Sequence, residues 1–483
     1  MLFNSFTFLL FLPLTFLIYW QVVQRNLRLQ NLFVLVASYV FYGWWDWRFL
    51  GLIAFSSAVD FWVGQEMHHN RNPRKKKALL MVSLGVNLGM LGVFKYADFF
   101  MHSLMAGLTG LGIETSWTTL GIILPVGISF YTFQTLSYTI DIYRGKLQPT
   151  SDPLTFFAFV SFFPQLVAGP IERATHLLPQ FEKNRHFDFA QARKGLELIL
   201  WGMFKKVVIA DRLSVYVETV YGSPEAYSGL PVMLATLFFA FQIYCDFSGY
   251  SDIAIGTARL FGFDLMTNFR TPYFSTSLKE FWSRWHISLS TWFRDYVYIP
   301  LGGNRASTPR WMFNTMATFL VSGLWHGANW TFVVWGLVHG VFLAIESYLR
   351  KIGRLPKVPV FFSWALTFSW VCLAWVFFRA DSVSTAFTLL AQMPVDLLSQ
   401  LSSLTELEIS LRTFINTRAE FTFTLLSLGL FLGLEAWMAK KDFAQRMVQV
   451  WKPGRWSLYY LLAFWMIYFG AFNQSAQFIY FQF

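Results

Sequence analysis

Two tryptophan-rich runs decide the fold class of this chain: FWSRWHISLSTWFRDYVYIPLGGNR (281–305) and WMFNTMATFLVSGLWHGANW (311–330). The first run contains His286 and the second contains His326, each among residues apolar enough to lie at bilayer depth. An imidazole at that depth is costly unless it is paired, hydrogen-bonded or facing a polar cavity. Both histidines are therefore candidate functional residues.

The composition indicates an integral membrane protein. Of the 483 residues, 55% are hydrophobic and 13% are charged, whereas a soluble protein carries about a quarter charged residues. The apolar runs do not alternate with the period of two that a membrane β-barrel requires. The sequence therefore predicts an all-α membrane protein.

Apolar runs long enough to cross, or nearly cross, a hydrocarbon layer of about 30 Å recur along the chain. They predict about 11–13 transmembrane and re-entrant helices in a single domain, 1–483. Because several runs are short or interrupted, the number of complete spans stays open. The runs lie near 2–20, 31–45, 49–64, 78–94, 97–112, 118–140, 154–170, 231–247, 311–326, 328–349, 358–378, 420–438 and 457–475.

The distribution of Lys and Arg predicts the orientation. Basic residues cluster in four short loops, which the positive-inside rule places in the cytoplasm, where they meet anionic lipid. This leaves Met1 and Phe483 on the outer side, and the first run is expected to be a retained span because it lacks the marks of a cleaved signal peptide. The formal net charge of +11 is explained by these loops, so no nucleic-acid partner is expected. The loops are 25–28, 68–77, 350–357 and 440–446.

One apolar segment is predicted to be re-entrant. In SFFPQLVAGPIERATHLLPQF (161–181), two prolines and a glycine break the helix. Broken backbone at bilayer depth must be buried in protein or face water. We therefore predict a re-entrant element with Glu172, Arg173 and His176 at its mouth as an ion-pair network.

Other charged and thiol groups have structural interpretations. Residues 187–212 alternate charged and apolar residues at helical spacing, which predicts a helix in the membrane interface. Asp246 and Asp252 lie about 240° apart around one helix, so we predict separate pairing with nearby Arg or hydroxyl groups rather than a two-carboxylate site. Cys245 and Cys372 are too distant in sequence to indicate a metal or redox pair, and no metal is expected.

The runs on either side of His326 predict a helical hairpin, because Arg305, Arg310 and Arg350 all belong to the cytoplasmic side. The bend would hold His326 deep in the membrane and inside the bundle. A general base needs such a site, desolvated and neutral, with a fixed partner. A core histidine that bridges two helices fits the same pattern, and the residues alone do not separate the two interpretations.

Two neighbours of His326 are also candidates. Asn329 follows His326 by three residues, which places both on one face of a continuous helix. Its side chain could therefore orient the ring or stabilise an oxyanion. His339 lies about 220° around a continuous helix. It is predicted to face elsewhere, as a core histidine.

Five motifs together resemble the membrane-bound O-acyltransferase family, in its bacterial branch for O-acetylation of alginate and of peptidoglycan and cellulose. The likeness covers nearly the whole chain. The motifs are WHISLSTWFRDYVYIPLGGNR (285–305), GLWHGANWTFVVWGLVHG (323–340), FPQLVAGPI (163–171), QIYCDFSGYSDIAIG (242–256) and GISFYTFQTLSYTIDIYRG (127–145).

The resemblance implies a ring of tilted helices around a tunnel that joins a cytosolic donor entrance to an outer funnel. The family's essential histidine matches His326, and its second histidine matches His286. Members of this branch take acetyl from a cytosolic donor, expected to be acetyl-CoA. They pass it across the bacterial inner membrane to a periplasmic partner that esterifies sugar hydroxyls of a polysaccharide.

The last residues, FIYFQF (478–483), resemble the family's terminal aromatic motif, whose tyrosine matches Tyr480. In the related D-alanylation system this tyrosine is proposed to carry the acyl group. A phenol with a pKa of about 10 would still leave readily from the resulting ester. The alternative is an aromatic anchor at the membrane interface.

Three functions stay open at this point. The favoured one is an O-acetyltransferase with His326 as general base, His286 and Asn329 assisting, and Tyr480 as acceptor. The second is a transporter or channel without bond chemistry, although the two halves of the chain show no internal repeat of the kind common in transporters. The third is a scaffold whose soluble partners perform the transfer. The acceptor polysaccharide is not identified by any of these residues.

Overall fold

The computed structural model describes residues 1–167, 169–354, 356, 358–412, 417–439, 441–472 and 478–479. These residues form helices joined by loops, with no β-strand among them. The predicted all-α class is therefore confirmed. The α-helices are α1 Phe6–Gln21, α2 Leu27–Gly43, α3 Leu50–His69, α4 Pro73–Leu91, α5 Ala97–Gly110, α6 Ile128–Tyr143, α7 Pro153–Ser161, α8 Phe163–Leu166, α9 Ala174–Phe181, α10 Phe189–Met203, α11 Asp211–Tyr221, α12 Leu230–Leu260, α13 Leu278–Arg284, α14 Ile287–Phe293, α15 Thr308–His326, α16 Trp330–Lys351, α17 Val360–Arg379, α18 Val383–Gln392, α19 Leu397–Gln400, α20 Leu404–Arg412, α21 Arg418–Met438, α22 Phe443–Met447 and α23 Lys452–Phe469.

Several helices are joined by tighter or wider turns. Two short 3₁₀-helices precede α3 and α13, at Trp47–Phe49 and Pro272–Phe274. Three π-helical segments continue α4, α10 and α14. They span Gly92–Tyr96, Phe204–Ala210 and Arg294–Tyr298.

Five helical stretches among the described residues are long and apolar enough to cross a membrane. Together with the composition, they make the chain a multi-pass membrane protein. The predicted arrangement around a tunnel, the orientation and the single domain stay predictions. The five stretches are Pro73–Gly110, Leu230–Leu260, Trp330–Lys351, Val360–Arg379 and Arg418–Met438.

The chain forms two compact units. The N-terminal unit comprises 1–196 and 254–266, and the C-terminal unit comprises 197–253 and 267–483. α10 and α12 each contribute to both units, because the unit boundaries fall inside these helices. Both candidate histidines belong to the C-terminal unit.

In the N-terminal unit, α3 and α4 are joined by a buried network around one carboxylate. Ser83 Oγ donates to Asp60 Oδ1 at 2.6 Å, and Asn87 Nδ2 donates to Asp60 Oδ2 at 2.8 Å. Ser56 Oγ donates to Asn87 Oδ1 at 2.7 Å. Neutral hydroxyl and amide groups thus satisfy Asp60, as buried polar groups require.

The apolar run at 118–140 is helical only from Ile128 onwards. Gly121 and Gly127 have φ of 59° and 78°, a backbone region that favours glycine. A Cβ at Gly127 would also lie 2.6 Å from the carbonyl oxygen of Leu166. The earlier part of this run is therefore not a transmembrane helix, because its glycines redirect the backbone.

The predicted break within 161–181 is confirmed. α7 ends at Ser161, the four-residue α8 follows, and the chain is extended before α9. His176 Nδ1 lies 2.8 Å from Glu172 Oε2, which confirms an ion pair at this place. The pKa of His176 is raised by that hydrogen bond, and burial raises the pKa of Glu172.

The prediction of an interfacial helix over 187–212 is wrong for its second half. All seven residues of the π-helix Phe204–Ala210 are buried. Lys205 lies 2.7 Å from Asp252, and Lys206 lies 2.8 Å from Asp246. The lysines can be buried because α12 supplies a carboxylate to each. The separate pairing predicted for the two aspartates is thus confirmed, with Lys in place of Arg.

Candidate active site

The hairpin that carries His326 forms as predicted. α15 ends at His326 because Gly327 is extended, with φ of −159°. A Cβ at Gly327 would lie 2.1 Å from the ring of Phe332, and one at Gly323 would lie 2.2 Å from the Phe332 carbonyl oxygen. Glycine at these positions allows α15 and α16 to approach closely, as small residues do between membrane helices.

His326 lies at the bend of this hairpin and is 3% exposed. Its ring is packed among aromatic side chains, with ring centroids at 5.1 Å from Trp335 and 5.4 Å from Phe378. Both of these rings approach edge-on, at 87° and 72°. Such surroundings leave little room for water around the ring.

His286 is presented by a strained backbone. It is the N-cap of α14 with φ of 43° and ψ of 55°, and its side chain is fully buried. A non-glycine residue in this left-handed region is uncommon and concentrates at functional sites. The conformation turns the chain between α13 and α14 and directs the ring into the C-terminal unit.

A hydrogen-bond network determines the tautomer of His286. Its Nδ1 lies 3.3 Å from Oδ1 of Asn268. That oxygen also accepts from the Ser288 hydroxyl at 2.6 Å, while Asn268 Nδ2 donates to Ser251 Oγ at 3.1 Å. Because the amide oxygen can only accept, Nδ1 of His286 carries the hydrogen and Nε2 carries the lone pair.

The structure brings the two predicted histidines together. Their ring centroids are 6.4 Å apart and their planes are inclined at 59°. Trp325 lies against both, with centroids 6.2 Å from His286 and 5.1 Å from His326. This separation is short enough for one reacting group to contact both rings, which is the geometry expected for a base and an assisting residue.

Tyr480 lies outside the described residues, but the two residues before it are described. Phe478 and Ile479 are buried in the C-terminal unit at 0% and 2% exposure. The Phe478 ring lies 6.2 Å from that of Phe247, whose ring is 4.6 Å from His286. The chain therefore approaches the histidine pair immediately before Tyr480.

Asn329 does not share a helix with His326, because α15 has ended and Asn329 caps the start of α16. Its Oδ1 accepts from the Thr331 N–H at 3.0 Å, and its Nδ2 donates to the Asp381 carbonyl at 2.9 Å. The side chain is thus engaged in shaping the bend. Its catalytic role stays a prediction.

His339 is a core histidine, as predicted. It is fully buried, and its ring centroid is 5.0 Å from both Trp282 and Trp335. Trp335 separates it from His326, which packs on the same indole at 5.1 Å. Among the described residues, neither ring nitrogen of His339 has a hydrogen-bond partner.

A cavity of about 950 Å³ lies beside the hairpin in the C-terminal unit. It reaches Ile287, the residue after His286, and Ser322, one helical turn before His326. Its lining is mainly apolar but includes four basic side chains. These are Lys279, Arg294, Arg350 and Lys351.

Sequence reasoning missed this cavity, because its walls come from several elements: α13, α14 with the π-helix that continues it, α15 and α16. The available signal was Arg294 in an otherwise apolar stretch and the basic cluster that begins at Arg350. A cavity of this size, apolar with a few charged groups, is typical of a small-molecule site. Its basic residues suit a ligand that carries phosphate or carboxylate groups.

Comparison with known proteins identifies related sequences. A model of the membrane-bound O-acyltransferase family matches residues 147–383. The "Probable alginate O-acetylase AlgI" of Azotobacter vinelandii is 44% identical over 396 residues, covering 81% of this chain and 78% of that protein. The peptidoglycan O-acetyltransferase of Helicobacter pylori is 36% identical over 427 residues, covering 81% and 80%. The teichoic acid D-alanyltransferase of Bacillus subtilis is 27% identical over 271 residues, covering 52% and 68%.

Proposed function

Because the chain belongs to the membrane-bound O-acyltransferase family and is therefore an acyltransferase, we propose that it transfers acetyl groups to hydroxyls of an extracytoplasmic polysaccharide. The names of its relatives, which specify O-acetylation of alginate and of peptidoglycan, support this substrate class. The observation that carries the proposal is the pair of buried histidines, whose ring centroids are 6.4 Å apart, with His326 at the bend between α15 and α16.

The donor would be a cytosolic acetyl thioester, namely acetyl-CoA, bound in the cavity beside the hairpin. The basic side chains Arg294, Arg350 and Lys351 suit its phosphates. The apolar remainder suits the pantetheine arm. Arg350 lies on the side that the positive-inside rule places in the cytoplasm, so the phosphates would remain there while the thioester reaches towards Ser322.

His326 is the general base. It takes the proton from the accepting hydroxyl, which we assign to Tyr480, and the phenolic oxygen bonds to the acetyl carbonyl carbon. The carbon–sulfur bond then breaks, and the His326 imidazolium returns the proton to the departing thiolate. The products are one aryl ester and one free thiol.

His286 assists by orientation. Asn268 fixes its tautomer, so that Nε2 faces the reaction as an acceptor. It can orient the acceptor hydroxyl or the imidazolium formed at His326. Asn329 is a lesser candidate for polarising the carbonyl, since its amide is engaged at the bend.

The second half of the reaction takes place on the outer side of a bacterial inner membrane. A periplasmic partner would bind the acetylated tyrosine and pass the group to a sugar hydroxyl. The phenol is the better leaving group of the two, with a pKa of about 10. The second transfer therefore needs no further energy source outside the cell.

The test uses purified protein and acetyl-CoA labelled in the acetyl group. We expect thiol release and a mass increase of one acetyl group on the peptide that contains Tyr480. Tyr480→Phe keeps the aromatic ring and should abolish the mass increase and polysaccharide acetylation, with membrane insertion unchanged. Full polysaccharide acetylation by Tyr480→Phe would mean that the segment 478–483 is only an anchor. Absence of thiol release in the unaltered protein would favour a transporter.

A further inference from the structure

One face of α12 binds the last described residues of the chain. The Ile479 N–H donates to Asp246 Oδ2 at 2.9 Å, in a fully buried contact. The Phe478 ring lies against Tyr250, with centroids 4.0 Å apart. Asp246 and Tyr250 are four residues apart, so they share a helix face. We call Phe478 and Ile479 the tail.

The carboxylate that binds the tail is itself held by a buried cation. Lys206 Nζ lies 2.8 Å from Asp246 Oδ1 and 2.7 Å from Asp211 Oδ1. The side chains of all three are at most 4% exposed. Lys206 thus contacts both carboxylates, and a buried carboxylate is stabilised by each further donor that it gains. The Ile479 N–H is such a donor, and the ion pair and the tail therefore stabilise each other.

The same stretch of chain also binds the segment that leads to the tail. Arg212 Nε donates to the carbonyl oxygen of Phe469 at 2.6 Å, where α23 ends. The Ala471 N–H donates to the Val207 carbonyl oxygen at 2.9 Å. Val207 follows Lys206 in the π-helix. The chain after α23 is thus held at two places. Val207 and Arg212 hold it near 469–471, and Asp246, the ion-pair partner of Lys206, holds it at Ile479.

We propose that Asp246 is a positioning residue for acyl transfer, because it fastens the backbone of Ile479, the residue directly before the proposed acceptor Tyr480. The adjacent Phe247 supports this role, since its ring contacts His286 edge-on at 4.6 Å. One turn of α12 therefore holds both the tail and the assisting histidine. This inference rests on the proposed function, in which Tyr480 accepts the acetyl group.

The test measures attachment of the tail separately from activity. Ile479→Cys places a thiol on the tail but retains the backbone N–H that Asp246 binds. Its rate of reaction with a maleimide reports how often the tail leaves its site. Because a hydrogen bond to a charged group changes such an equilibrium about ten- to a hundredfold, adding Asp246→Ala should increase the labelling rate at least about tenfold. The full chain without Ile479→Cys gives the background from Cys245 and Cys372.

Activity is measured in the Asp246→Ala variant of the otherwise unaltered chain. We expect kcat for acetyl transfer to fall about tenfold or more while KM for acetyl-CoA is unchanged, because the donor cavity is not altered. Glu435→Gln is the matched control, since it neutralises another buried carboxylate of this unit, which accepts from the Tyr244 hydroxyl at 2.8 Å. It should leave the labelling rate at position 479 unchanged.

The outcomes are distinct. An unchanged labelling rate at position 479 in Asp246→Ala overturns the inference. Faster labelling combined with an unchanged kcat for acetyl transfer also overturns it. If Asp246→Ala does not fold, Asp246→Asn replaces it, because the amide keeps the size of the side chain but removes the charge that binds the Ile479 N–H, and faster labelling with a lower kcat is again expected. Tyr480→Phe tests the proposed function alone, since it should abolish transfer without changing the labelling rate.

Discussion

The contacts described for the two histidines of the site differ in kind. His286 is fixed by polar contacts, with Asn268 on its Nδ1 and hydroxyls behind that amide. His326 is surrounded by the rings of Trp325, Trp335 and Phe378 at the end of a helix. A polar support fixes a tautomer, whereas an aromatic enclosure removes water. The difference supports the proposed roles, which are orientation for His286 and proton transfer for His326.

The largest effect is expected at the aromatic enclosure. His326→Ala removes the base, and loss of a general base lowers a rate by about 10²–10⁴-fold. The variant should still insert into the membrane, because the bend depends on Gly327 and Asn329. Thiol release from acetyl-CoA by purified protein measures the effect. A rate within a factor of a few of the unaltered protein would remove His326 from the mechanism.

A smaller loss is expected at the polar support. His286→Ala should lower kcat by about 10–100-fold, because a misplacement of about 1 Å in a reacting group can cost about 10²-fold. Asn268→Ala should give a similar loss, because it acts through His286. The two changes combined should cost no more than His286→Ala alone, as expected for coupled residues. Additive losses in this double-mutant cycle would mean that Asn268 acts independently.

The cavity provides a prediction about binding rather than chemistry. Arg350→Ala should raise KM for acetyl-CoA by about three- to tenfold with little change in kcat, since a solvent-accessible charge contributes modestly. Arg354→Ala removes a charge that lies nearby in sequence but does not line the cavity, and it should have no effect. Equal effects of the two variants would indicate general surface charge rather than a donor site.

The smallest effect is expected at His339, which lies on the far side of Trp335 from His326. His339→Phe replaces a buried imidazole, which has no hydrogen-bond partner among the described residues, by a ring of similar shape. Such replacements are close to neutral for stability. Transfer should stay within about twofold of the unaltered protein and the melting temperature should not fall. A large loss of activity would mean that the active site includes His339, on the other side of Trp335.

The sequence predicts the class of fold and the bend well, because both depend on local pattern. Apolar runs mark membrane helices by composition, and the glycine beside His326 ends a helix whatever surrounds it. Partners distant in sequence could not be predicted. The local pattern predicts an interfacial position for Lys205 and Lys206, because it does not reveal their carboxylate partners. These lie on α12, some forty residues later. Asn268 likewise lies eighteen residues from the imidazole that it holds.

The close contact of α15 with α16 has a kinetic consequence. A Cβ at Gly336 would lie 2.3 Å from the Phe319 carbonyl oxygen, so the two backbones cannot slide without collision, and the imidazole at their junction stays in one place. The acyl donor and the accepting hydroxyl must therefore both come to a stationary catalyst. Because the proposed tyrosine ester separates the transfer from the donor from the transfer to the sugar, we expect double-displacement kinetics, with parallel lines in reciprocal plots.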